Sequence, residues 1–162
     1  MWTSVLALSL ELSYWQQLGL AFLLGSFAVA TLSDLRRLSA QREFLEVWLV
    51  FLLAVLVFDV LEVRRQHIEW HVPALKWGLL VLFSAVSWGR WGLLFKLALG
   101  DVAALAAAAS LLSPALVVFF YAAAKILAVL LGPLLARGRS AWPFMPVVSL
   151  ATLAVLALGL SI

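Results

Sequence analysis

The chain has 162 residues, of which 66% are hydrophobic and 12% charged, with a mean hydropathy of +1.14. A soluble domain carries about a quarter charged residues and a little under half apolar ones, so there is too little polar sequence here to coat a globule in water, and a soluble enzyme is excluded. The net charge of +3 is small and scattered, which argues against a nucleic-acid partner, and the absence of cysteine removes disulfides, thiolate metal sites and cysteine nucleophiles.

Met1–Ser13 lacks the basic start of a secretory signal, carries Glu11, and reads as an interfacial segment. Six apolar runs follow, each predicted to be a transmembrane helix: Tyr14–Ser33, Phe44–Leu61, Pro73–Trp88, Leu99–Leu112, Ala115–Ala136 and Pro143–Ile162. Polar stretches separate them: Asp34–Glu43, Glu62–His71, Gly89–Lys96 and the turn Arg137-Gly-Arg-Ser140. The fourth run is short and alanine-rich, and Ser113-Pro114 divides it from the fifth because proline suits a helix start. The expected fold is all-α, a polytopic membrane protein forming one domain over 1–162.

Basic residues orient such a chain. Arg36, Arg37, Arg42, Arg90, Lys96, Arg137 and Arg139 share one side, against Arg64, Arg65 and Lys76 on the other, so the first side is expected to be cytoplasmic and both termini external. Tryptophans fit two interfacial belts, with Trp2, Trp15, Trp70 and Trp77 outside and Trp48, Trp88, Trp91 and Trp142 inside.

Asp34 closes the first run and Asp101 opens the fourth, 67 residues later, and this topology puts both at the cytoplasmic side. Two carboxylates within a few ångströms share one proton, so one can take a proton from water while the other polarises a carbonyl. The bland reading of the same residues is an acid paired with Arg36 or Arg37 and a helix N-cap.

The order Ser33-Asp34-Leu35-Arg36-Arg37, Gly100-Asp101-Val102 and Pro143-Phe144-Met145-Pro146 resembles the type IV prepilin peptidases and archaeal preflagellin peptidases, the GxGD group of membrane aspartic proteases. The likeness runs from about Gly25 to Ala157. It implies Asp34 and Asp101 as the catalytic pair, prepilin-like or preflagellin-like substrates cut at the cytoplasmic face of the cell membrane, and no metal or organic cofactor. Ala98 stands where the family has the first glycine of GxGD, Ala103 where a lysine is common, and Ser39–Phe44 where an Ile-Pro-Asn-like motif would lie. An inactive relative serving as a membrane scaffold or assembly subunit is the alternative.

Around the pair, Gly100 would let a substrate backbone approach. Pro143 and Pro146 would leave the last helix short of backbone donors, a shape that a peptide can use. Glu43 and Glu46 could meet a basic leader, or simply suit the start of the second helix. Lys125, alone inside the fifth run, is expected to pair with Asp59, an arrangement that would also serve a small transporter. His67 and His71 read as loop residues with no further ligands.

Overall fold

The computed structural model describes residues 12–37, 41–66, 70–89, 92–136 and 142–161. They form six helices: α1 (Tyr14–Arg37), α2 (Gln41–Gln66), α3 (His71–Ser87), α4 (Leu99–Ala109), α5 (Pro114–Ala136) and α6 (Met145–Ser161). Among these residues there is no strand, only one isolated bridge between Trp88 and Leu97. Each helix falls on one of the six apolar runs. Three of them, α1, α2 and α5, are long and apolar enough to cross a membrane. The other three have 17, 11 and 17 residues, short of the ~20 that a full perpendicular crossing takes.

Helix ends depart from the sequence reading where local chemistry decides them. α1 continues to Arg37, so Asp34 belongs to its last turns rather than following it. α4 stops at Ala109, and Ser110–Ser113 turn the chain into α5, whose Leu116 N–H finds the Ser113 hydroxyl at 3.4 Å. Pro114 then occupies the first helical position, where its missing N–H costs nothing. α6 begins at Met145, two residues after Pro143.

The shortest helix is the centre of the bundle. α4 packs against all five others, and every residue from Gly100 to Leu112 is buried. Its sequence, Leu-Gly-Asp-Val-Ala-Ala-Leu-Ala-Ala-Ala-Ala, explains how. Small side chains let surrounding helices come close to its backbone, and alanine loses no rotamer freedom in doing so. At 1.5 Å per residue α4 is only about 16 Å long. Its partner in the α4–α5 hairpin has 23 residues. Hence α4 begins at the level of the middle of α5, and α5 runs on for about 18 Å past that level.

The segment between α3 and α4 is folded tightly enough to start at that depth. Leu94 and Leu97 donate their N–H groups to Val86 and Ser87 carbonyls at 3.0 and 3.1 Å, and Gly89 donates to Leu97 at 3.0 Å. Gly89 has φ +72°, and a Cβ on Gly92 would sit 1.9 Å from the Phe95 carbonyl oxygen. Both positions therefore call for glycine. Phe95 closes the turn as a buried anchor.

Two residues assigned to the membrane surface by sequence lie inside. Trp48 is fully buried, stacks on Phe44, meets Phe27 edge-on and donates its indole N–H to Ser26 at 3.2 Å. It is an internal packing residue and not part of an aromatic belt. Lys76, counted with the outer-side cations, is likewise buried in α3.

Candidate active site

Asp34 and Asp101 come together. α1 and α4 pack against each other, both side chains are buried (1% and 4% exposed), and Asp101 lies within reach of the Asp34 charge. Asp34 arrives on the last turns of α1, and Asp101 on the first turn of the central helix. Neither position by itself implies a neighbour. The meeting is made by the packing of α4 inside the bundle.

A third element completes the site. The Met145 N–H, at the first position of α6, donates to Asp34 Oδ2 at 3.2 Å, and the Phe144 amide also acts on the same carboxylate. The first N–H groups of a helix have no partner within it, so they suit a carboxylate. Phe144 holds this helix start in place. Its carbonyl accepts from Val147 and Val148 at 3.0 and 3.3 Å. Its ring meets Phe95 edge-on at 5.5 Å and Trp142 at 5.5 Å. The turn before Asp101 and the helix start beside Asp34 are thus joined by one aromatic contact. The roles of Phe95, Phe144 and the Met145 amide escaped sequence reading, although the Pro-Phe-Met-Pro stretch marked their neighbourhood.

The remaining predicted site residues divide. Gly100 is buried in the first turn of α4, next to Asp101. Pro143 is buried beside Phe144, and Pro146 is half-buried in the first turn of α6. Glu46 is exposed on α2. The side chain of Glu43, with those of Arg36, Arg37 and Arg42, lies outside the described residues, as do Ser39 and His67. Among the described residues, no three of His, Asp or Glu cluster as metal ligands.

The pairing expected between Lys125 and Asp59 is not formed. Asp59 binds Lys76, with Nζ 2.5 Å from Oδ2, and the same oxygen accepts the Trp77 indole N–H at 2.7 Å. Lys76 also donates to the Ser110 carbonyl at 3.1 Å, the cation at the end of α4 opposite Asp101. Asp59 stands seven residues before the end of α2 and Lys76 five after the start of α3, and no spacing in the sequence singled out this pair. Lys125 instead donates to the Leu94 carbonyl and lies 5.2 Å from the Phe95 ring centroid.

A cavity of about 300 Å³ opens at the far end of α1 and α2, lined by Trp15, Gly19, Phe51, Phe58 and Asp59 among others. It belongs to the Asp59–Lys76 end and not to the Asp34–Asp101 site. Comparison of the chain with protein-family models, with curated proteins and with solved structures returned no match.

Proposed function

We propose that the chain is a six-span aspartic endopeptidase of the cell membrane, with Asp34 and Asp101 as its catalytic pair on the cytoplasmic side. The observation that carries this reading is the convergence of two buried carboxylates from α1 and α4 with the start of α6. Those are the three places where the sequence resembles the prepilin and preflagellin peptidases. Substrates of that kind present a basic leader followed by an apolar helix. Cleavage between the two needs carboxylates that reach water while the helix stays in lipid.

In the reaction, one carboxylate takes a proton from a water molecule as its oxygen attacks the scissile carbonyl. The other, carrying the shared proton, donates it toward the carbonyl oxygen. Collapse of the tetrahedral intermediate breaks the C–N bond and the amine leaves with a proton, restoring one proton to the pair. Met145 N–H holds one oxygen of Asp34 and thereby orients that carboxylate during the exchange.

The test is cleavage of a model prepilin by purified protein in detergent or liposomes. Asp34→Asn and Asp101→Asn should each lower turnover by at least ~10²-fold, the usual minimum for removing an acid–base group, without loss of folded protein. Turnover retained in either variant removes that aspartate from the mechanism. A wild type that binds such substrates without cutting them leaves the scaffold role in place of the peptidase.

A further inference from the structure

We infer that Lys125 is a positioning residue for the aspartate pair, acting through the turn that precedes Asp101; this rests on the peptidase reading above. Lys125 is the sole charged residue of α5, and its ammonium is not used by any carboxylate partner that the sequence suggested. It reaches instead to the turn, donating to the Leu94 carbonyl and lying over the face of Phe95. The Leu94 carbonyl lies in irregular backbone outside any helix, and the ammonium supplies it with a donor. A cation over an aromatic ring adds a second, independent attraction.

From this latch the contacts run in two directions. Phe95 meets Phe144, whose neighbour Met145 holds the Asp34 carboxylate. In the other direction the chain passes from Leu94 through Leu97, tied to Ser87, into α4 and Asp101. These contacts of Lys125 are to the turn, to Leu94 and Phe95. Lys125 sets the position of both the turn that delivers one aspartate and the helix start that holds the other. Its expected signature is therefore a loss of turnover with little loss of substrate binding.

The experiment compares wild type, Lys125→Met and Lys125→Arg in the same detergent, with two readouts. Hydrogen exchange over residues 92–98 reports the latch itself, and prepilin cleavage reports its consequence. Lys125→Met should speed exchange of the Leu94 and Leu97 amides and lower kcat by about 10- to 100-fold, the scale of a misplacement near 1 Å, with KM changed less than about twofold. Lys125→Arg, which keeps a cationic donor, should recover most of both. Unchanged exchange in Lys125→Met overturns the latch. Faster exchange with unchanged kcat overturns the positioning role. A wild type without peptidase activity refutes the peptidase reading separately, and the exchange data still decide whether Lys125 orders the turn.

Discussion

Replacing Lys76 by methionine should be among the most damaging single changes available in this protein, and the structure sets the size of the effect. The side chains of Lys76 and Asp59 are 10% and 11% exposed, so the pair is shielded from water. Removing one partner of such a pair costs ~3–5 kcal/mol, because the other charge is left buried and alone. Here the Trp77 indole N–H remains on Asp59 at 2.7 Å, a hydrogen bond to a charged group worth ~1.5–3 kcal/mol. Against that, the Ser110 carbonyl loses its donor. A net loss of ~3 kcal/mol is expected for Lys76→Met. Asp59→Asn added to it removes the stranded charge while keeping an acceptor for Trp77, and should restore most of the stability. The assay is reversible unfolding in mixed micelles by SDS titration, run as a double-mutant cycle. Ordinary interhelical hydrogen bonds in bilayers couple by only ~0.6 kcal/mol on average. A coupling above ~1.5 kcal/mol therefore identifies the ion pair, and one below ~0.6 kcal/mol refutes it. Lys125→Met paired with Asp59→Asn should be additive, since those residues do not meet.

Gly92→Ala should destabilise the protein by ~1–3 kcal/mol or abolish accumulation, because its Cβ would meet the Phe95 carbonyl oxygen at 1.9 Å and backbone would have to move; Gly25→Ala, with open space around its Cβ, is the control and should be neutral or slightly stabilising in the same melt. The orientation can be read by single-cysteine labelling, since the chain has no cysteine of its own. A cysteine replacing the highly exposed Leu93 should react only after permeabilisation, and one replacing Trp70 should react in intact cells. The opposite pattern inverts the proposed topology and moves the aspartates to the outer face.

How much of this was legible in the sequence follows from which forces are local. A run of apolar residues bounded by charges or Ser-Pro makes a helix whatever surrounds it, so all six helices were readable, and the two aspartates stood out by their place beside such boundaries. The lengths held a further message, that α4 is too short to match its neighbour. The consequence, a turn and a carboxylate set at the middle of α5, needed the packing of five helices around those alanines. Partners of charges were not legible. Asp59, expected to meet Lys125, binds Lys76 on the next helix. The target of Lys125 is the backbone of a segment 31 residues away, which no spacing rule reaches. The same holds for Trp48, whose indole is buried by Phe27, Phe44 and Ser26 although its position near a helix start suggested an interface. Hydrophobic periodicity records that a face is apolar, but lipid and protein are equally apolar partners. Which of the two a side chain meets, and which carboxylate finds which donor, is decided only when the helices rotate and dock.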